Sequence, residues 1–242
     1  MKKDALHIGC SSFSNAYWKG IFYPENLPRS EWFSFYCRHF DSYEINASFY
    51  RFPTVRTLTT WYGKAPDGFV FAVKAPKVIT HLKRFVDCKD EVEKFYAVCR
   101  EGLKEKLGPI LFQLPPGIPY GREKLDLILS YMNLGFDNVI EFRNATWWQK
   151  EVFDALAQHN VSFSTVSYPG LPESVIETND TGYVRLHGRP KLFYSNYSDA
   201  ELQHLYNEMK KTKWKKAYVY FNNTASAAGS VNALKLNEIR GI

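Results

Sequence analysis

Six kinds of chemistry-bearing side chain recur at one place in this sequence, the far end of short apolar runs. SYEINA at 42–47 carries Glu44 and Asn46, FVFAVK at 69–74 ends in Lys74, and PILFQL at 109–114 carries Gln113. NVIEFR at 138–143 carries Glu141 and Arg143, GYVRLH at 182–187 carries Arg185 and His187, and AYVYFN at 217–222 ends in Asn222. Two carboxylates that handle a proton on either side of a bound molecule are a common basis for general acid–base chemistry. Arginine forks bind carboxylate or phosphate in pairs of hydrogen bonds, and a histidine can shuttle protons near neutral pH. With Glu44 and Glu141 ionised, Lys74, Arg143 and Arg185 charged and His187 neutral, the set carries about +1, which favours an anionic ligand.

The runs holding these residues read as β-strands, together with LHIGC at 6–10 and VSFSTV at 161–166. Side chains alternate across a strand, so residues two apart share a face. In the opening part of YEINASFYR (43–51), Tyr43, Ile45, Ala47 and Phe49 fall on one face and Glu44, Asn46 and Ser48 on the other. On the other strands the shared faces are Val70, Ala72 and Lys74; Leu111 and Gln113; Val139, Glu141 and Arg143; Tyr183, Arg185 and His187; and Tyr218, Tyr220 and Asn222. Each face runs from apolar to polar. A barrel interior with a polar mouth at the C-terminal strand ends produces that order. An inward ion-pair network that only fills the barrel produces it too, because buried charges need partners.

Amphipathic stretches separate the strands. DEVEKFYAVCREGLKEKL at 90–107 places Val92, Phe95, Tyr96, Cys99 and Leu103 at helical spacing, and REKLDLILSYMNLG at 122–135 ends in a glycine suited to stop a helix. Strand–helix alternation implies a parallel sheet, and eight repeats in 242 residues fit a single-domain (β/α)8 TIM-type barrel spanning 1–242. An open doubly wound sheet is the alternative. The first βα-loop is long: SSFSNAYWKGIFYPENLP at 11–28 offers Tyr17, Trp18, Phe22 and Tyr23 either as a ligand cover or as a self-packed Ω-loop. Thr146, Trp147 and Trp148 after strand five are either a pocket wall or a helix anchor. The weakest repeats are the helix after strand one and LPESVIETN (171–179) after strand six.

Other chemistries find little support. There is no HExxH and no clustered Cys/His pattern. His7 stands at the start of strand one, His81 in the loop after strand three, and only His187 at a strand's upper end, so no metal is expected. No GxSxG elbow, phosphate loop or dinucleotide fingerprint is present, so no cofactor is expected, and Cys10 reads as a core thiol. The four cysteines, Cys10, Cys37, Cys88 and Cys99, form no CxxC pair and suit a reducing, cytoplasmic setting. No run approaches the ~18 apolar residues of a membrane span, and MKKDALHIGC lacks the pattern of a signal peptide. The net charge of +6 permits a nucleic-acid partner. The basic run MKKTKWKK at 209–216 reads more simply as a solvated helix end, favoured there by the helix dipole. Nothing in the sequence sets an oligomeric state.

IGCSSF, YEINASFYR, FAVKAPKVITH, LFQLPP, EFRNATWW, YVRLHG and VYFNN occur in this order at seven strand ends. Individually weak and specific as a set, they resemble the domain of unknown function 72 family, the YecE-like proteins, from about residue 7 to 230. The resemblance implies a (β/α)8 barrel and supplies no activity. A likeness suggested for the family to endonuclease IV-type barrels makes DNA a possible partner. Matched position by position, it implies the motif residues Glu44, Asn46, Lys74, Gln113, Glu141, Arg143, Arg185, His187 and Asn222, largely those the alternation had selected. It also leads one to expect His-Pro or similar after the arginine of EFRNATWW, where this chain has Asn144-Ala145.

The expectation is therefore an acid–base enzyme, a hydrolase, lyase or isomerase, acting on a small anionic or phosphorylated molecule. Glu44, Glu141 and His187 are the catalytic candidates, and Asn46, Lys74, Gln113, Arg143, Arg185 and Asn222 the ligand-binding ones. The alternative is a nucleic-acid-binding protein or endonuclease IV-like nuclease whose loop aromatics stack bases.

Overall fold

A computed structural model describes residues 6–241. The reading of MKKDA as no part of a leader falls on residues 1–5, outside that range. Eight parallel strands close into a barrel in chain order, β1 (Leu6–Cys10), β2 (Ser42–Ile45), β3 (Val70–Lys74), β4 (Leu107–Gln113), β5 (Asn138–Glu141), β6 (Ser162–Ser167), β7 (Thr181–Leu186) and β8 (Lys216–Phe221), with β8 pairing back onto β1. The helices are α1 (Trp32–Tyr36), α2 (Ala47–Tyr50), α3 (Val55–Lys64), α4 (Lys89–Leu103), α5 (Arg122–Ser130), α6 (Lys150–Gln158), α7 (Asp199–Lys211) and α8 (Ala228–Arg240). The closed barrel, rather than the open sheet, is the architecture.

Strand alternation divides the apolar residues into two cores. Ala72, Leu111, Val139, Tyr183, Tyr218 and Tyr220, with Val70 against them, fill the barrel interior. These are the apolar members of the faces that end in polar residues. The opposite faces, among them Ile8, Phe71, Phe112, Ile140, Val184 and Phe221, belong to a larger core shared with the helices. The spacing in α4 is used as expected: Val92, Phe95, Tyr96, Cys99 and Leu103 are all buried. At α7, Ser198 and Glu201 form a reciprocal capping box, a device whose N-cap alone is typically worth about 1 kcal/mol.

Where β1 meets β2 the ladder is short, and Tyr36 completes it. Its hydroxyl donates to the Ser42 carbonyl at 2.8 Å and accepts from the Cys10 N–H at 2.6 Å. Gly9 makes room: a Cβ there would stand 2.0 Å from the Ser42 carbonyl oxygen and 2.8 Å from the Tyr36 hydroxyl. The small residues of GCSSF thus have a packing role in β1.

Several local expectations are corrected. YEINASFYR is not one strand; β2 stops at Ile45 and the chain turns into α2, so Ala47 and Phe49 do not extend its outer face. Helix α5 ends at Ser130, capped by Tyr131, and Gly135 lies beyond it in the approach to β5. The ligand-cover reading of the first loop fails for three of its four aromatics. Trp18, Phe22 and Tyr23 are buried, Tyr23 stacks on Trp32 at 4.7 Å, and the Trp18 Nε1–H donates to the Ser226 carbonyl at 2.8 Å. Only Tyr17 is exposed. Trp147 is an anchor: it stacks on Phe142 at 4.1 Å, and its Nε1–H donates to the Ile118 carbonyl at 2.9 Å.

No helix follows β6; residues 168–180 run as a loop to β7. The outer face of β6 and β7 is therefore incompletely covered. A groove of about 550 Å³ opens there between that loop and α7, floored by Val184, Leu186, Leu202 and Leu205.

Candidate active site at the barrel mouth

Arg185, near the end of β7, crosses the barrel interior and holds both glutamates. Its Nε and Nη2 donate to the two oxygens of Glu44 at 2.9 and 2.7 Å, and its Nη1 donates to Glu141 Oε2 at 2.7 Å. All three side chains are almost wholly buried. The carboxylates come from β2 and β5, far apart around the ring, and only a side chain spanning the interior can bridge them.

Glu44 receives three further hydrogen bonds: from the Tyr183 hydroxyl at 2.6 Å, Asn46 Nδ2 at 2.8 Å and Asn222 Nδ2 at 3.2 Å. A carboxylate has about four lone-pair sites, so Glu44 is saturated and fitted to anchor its neighbours rather than to take a proton. Because it only accepts, it fixes both asparagines with their NH2 groups inward. Asn46 Oδ1 and Asn222 Oδ1 are left buried without a partner among the described residues. Burial raises the Glu44 pKa, but the Arg185 charge and the hydrogen bonds from Arg185, Tyr183 and Asn46 outweigh it, leaving the carboxyl below its usual range. The same opposition acts on Glu141. Burial raises it, while the charges of Arg143 and Arg185 carry it well below the ordinary value.

Arg143 extends the network outward. Its Nε donates to Glu141 Oε1, and its Nη2 donates to His187 Nε2 at 3.0 Å, while its guanidinium lies 4.2 Å from the centre of the Tyr168 ring. Since His187 Nε2 accepts from an arginine, the ring proton sits on Nδ1, which is buried and unpartnered. Glu141 Oε2, at 3.7 Å from Nε2, is too far for a hydrogen bond, so Arg143 holds the ring and Glu141 does not. Burial first, then the Arg143 charge, lowers the histidine pKa to about 3. His187 is neutral across the physiological range.

Lys74 stands apart from this lattice. Its Nζ donates to Gln113 Oε1 at 2.8 Å and lies 4.2 Å from the centre of the Phe49 ring. Among the described residues it takes part in no ion pair; the nearby carboxylates are committed to arginines. Burial, followed by repulsion from Arg185, lowers its pKa to about 7. The expected site charge of about +1 is thus present only while Lys74 is protonated. Above that pH, two carboxylates balance two guanidinium groups.

The mouth unites all nine residues singled out in the sequence, and three more contribute. Tyr183 holds Glu44, and Phe49, read from the strand pattern as outward, comes against Lys74 because α2 turns the chain. His81, at first only a loop histidine, sits in a π-helical turn over Val78–Leu82 with its ring 4.8 Å from Phe49. Burial, then Lys74 and Arg143, lower its pKa to about 4. A histidine seven residues beyond a strand-end lysine was the available signal, but its loop hid its direction. Asn144, where His-Pro or similar was expected, is a helix cap: its side chain accepts from the Thr146 N–H at 3.1 Å and donates to the Pro116 carbonyl at 3.0 Å.

Among the described residues no three His, Cys, Asp or Glu side chains gather to hold a metal ion. The groove outside β6 and β7 holds about 550 Å³, but its ion pair, Arg189 with Glu173, is more than a third exposed. Desolvated, mutually coupled ionisable groups make the mouth, rather than the groove, the candidate site.

The fold and this arrangement define a TIM barrel with an ionisable cluster at the C-terminal ends of its strands. The chain belongs to the family described as protein of unknown function DUF72, whose model matches residues 7–242. The UPF0759 protein YunF of Bacillus subtilis (strain 168) is 24% identical over 254 residues, covering 91% of this chain and 90% of the relative. The UPF0759 protein YecE of Escherichia coli (strain K12) is 26% identical over 118 residues, covering 48% of this chain and 42% of the relative. Among solved structures, the DUF72 family protein TM1631 from Thermotoga maritima MSB8 superposes with a TM-score of 0.87 at 29% identity, covering 97% of this chain and 98% of that one. The DUF72 family protein EF0366 from Enterococcus faecalis V583 gives 0.85 at 19% identity, over 98% and 96% of the two chains, a likeness of fold.

Proposed function

We propose that this chain is an enzyme that binds a small anionic or phosphorylated molecule at the barrel mouth and acts on it by acid–base chemistry, as a hydrolase, lyase or isomerase. The observation carrying this reading is the pairing of a saturated, rigid lattice around Arg185 with a lysine beside it that has no counter-ion. The lattice fixes geometry, as productive sites require. Lys74 and the outer edge of Arg143 supply positive charge for an anion, and a lysine that titrates near neutral pH can give or accept a proton. Glu141 has lone pairs left after its two arginine bonds and can accept a hydrogen bond from the ligand. His187 can donate from Nδ1, with Asn46, Gln113 and Asn222 as polar contacts. A reducing, cytoplasmic setting belongs to the same proposal, supported by four free cysteines, three of them buried. No helix among the described residues is long and apolar enough to cross a membrane.

Differential scanning fluorimetry against a panel of small phosphates and carboxylates tests this. A binder should raise Tm for the parent chain and lose most of that shift in Arg143→Ala. Equal shifts in parent and variant would remove the mouth as the anion site.

A second reading has its own observation. Tyr17, Tyr50, Phe193 and Tyr194 are exposed in the segments that follow β1, β2 and β7; exposed Arg51 and Lys191 lie in two of those segments, and exposed Lys77 and Arg84 in the segment after β3. Aromatics that stack bases among phosphate-binding cations suit single-stranded nucleic acid. Such binding must weaken steeply with salt. A flat salt titration, or none binding at low salt, would dismiss it.

A further inference from the structure

Lys74 is placed for more than charge. We infer that Lys74 is a covalent nucleophile that forms an imine with a carbonyl group of an anionic substrate, a 2-oxo acid or a keto or aldehyde phosphate, held against Arg143. This rests on the small-anion reading of the mouth and deepens it by naming the reacting group.

Geometry carries the inference. Burying an ammonium group is tolerable when a carboxylate pairs with it and costly otherwise. Two carboxylates lie in the same mouth, yet both are engaged elsewhere: Glu44 by Arg185, Tyr183, Asn46 and Asn222, and Glu141 by Arg143 and Arg185. Lys74 is left with a neutral acceptor, Gln113 Oε1, and the face of Phe49. The charged groups facing it are Arg185 and Arg143, which repel its proton, and Glu141 and Glu44, which attract it. Burial and the arginines prevail, bringing the amine down to about 7. Desolvation and neighbouring cations are established ways of making a lysine nucleophilic. The amine ends β3, on the interior face, behind Val70 and Ala72 and beside Gln113 of β4. It is therefore fixed on a rigid strand.

The step balances without a further reagent. The Nζ lone pair bonds to the carbonyl carbon, and the C=O π pair moves onto oxygen. The two amine protons pass to that oxygen, which leaves as water while nitrogen closes the C=N bond. Arg143 pairs with the substrate's anionic group, and His187 Nδ1–H is available as a hydrogen-bond donor to the departing oxygen.

The test treats the full chain with pyruvate or dihydroxyacetone phosphate and sodium cyanoborohydride at pH 7, followed by intact-mass and peptide mapping. The expected result is one adduct per chain on the peptide bearing Lys74. Ordinary lysines, with pKa near 10.4, hold so little neutral amine at pH 7 that modification at Lys74 should be on the order of a hundredfold faster. Lys74→Met and Lys74→Arg, checked for folding by circular dichroism, should both lose the adduct. Lactate and glycerol 3-phosphate, which lack the carbonyl, separate this inference from the reading beneath it. If they raise Tm through Arg143 while neither carbonyl compound is fixed on Lys74, the imine is refuted and the anion site stands. If modification is slow and spread over surface lysines and neither analogue raises Tm, both fall.

Discussion

The two ends of the barrel combine the same three kinds of group, a carboxylate, a histidine and an arginine, in opposite ways. At the N-terminal end, Asp41 sits 3.5 Å from both His7 Nδ1 and Arg240 Nη1, and it accepts the Ile8 N–H at 3.0 Å. Arg240 also donates to the Leu6 carbonyl, so this cluster ties α8 and the start of β2 to the backbone of β1. Asp41 itself is 38% exposed. At the C-terminal end, Glu44, Glu141, Arg143, Arg185 and His187 bind chiefly to one another, and the carboxylates are entirely buried. An ion pair that grips backbone through a part-exposed carboxylate is a clasp. A dry lattice of side chains from three strand ends, with a lysine left unpaired beside it, fixes positions inside the barrel mouth.

The largest difference should appear on breaking each cluster. Arg185→Met strands the buried Glu44, removes one of the two arginines on Glu141, and should destabilise the chain by about 3–5 kcal/mol at pH 7 in urea denaturation. Asp41→Asn, partly exposed, should cost no more than about 1 kcal/mol. Similar losses would erase the distinction between the ends.

Acid should separate them next. Glu44 and Glu141 have folded pKa values below their unfolded ones, so their contribution is complete above about 4.3 and is lost as pH falls through the lower folded values. His187 adds to this: unfolded, it takes up a proton below about 6.5, whereas folded it resists until about 3, so stability is lost as pH drops from the higher value to the lower. His187→Gln should flatten the stability profile between those values. An unchanged profile would mean that the ring is protonated in the folded chain.

A further effect of the same sense, at higher pH, is expected at Lys74. Between its folded value of about 7 and the usual 10.4, the unfolded chain binds the extra proton, so stability rises with pH. Lys74→Met should abolish that rise and leave stability at pH 7 equal to the parent's or up to about 1 kcal/mol higher. A loss of several kcal/mol would show that Lys74 is a structural cation.

How much of this could be read from the chain follows from range. The barrel, its two cores and the parity of Val70, Ala72 and Lys74 or Tyr183, Arg185 and His187 are set by alternation, a property of neighbours in sequence. Which groups pair is set across the barrel. That Arg185 of β7 would bridge Glu44 of β2 and Glu141 of β5 depends on three strands converging on the interior, and no local pattern encodes it. The saturation of Glu44 is hidden from the sequence for this reason: its five hydrogen bonds come from Asn46 just after β2, Tyr183 and Arg185 of β7, and Asn222 just after β8. Phe49 and His81 were hidden by helical turns after β2 and β3, where strand alternation no longer applies. The first loop's aromatics were ambiguous because stacking on Trp32 and bonding to Ser226 depend on α1 and on the loop after β8.

The most direct measurement is a crystal structure of the chain with pyruvate or glycerol 3-phosphate, read for ligand density. The account expects the anion at the mouth, within hydrogen-bond reach of the Arg143 guanidinium and Lys74 Nζ, with the Arg185 lattice unmoved. Density confined to the groove outside β6 and β7, or to exposed lysines, would contradict it.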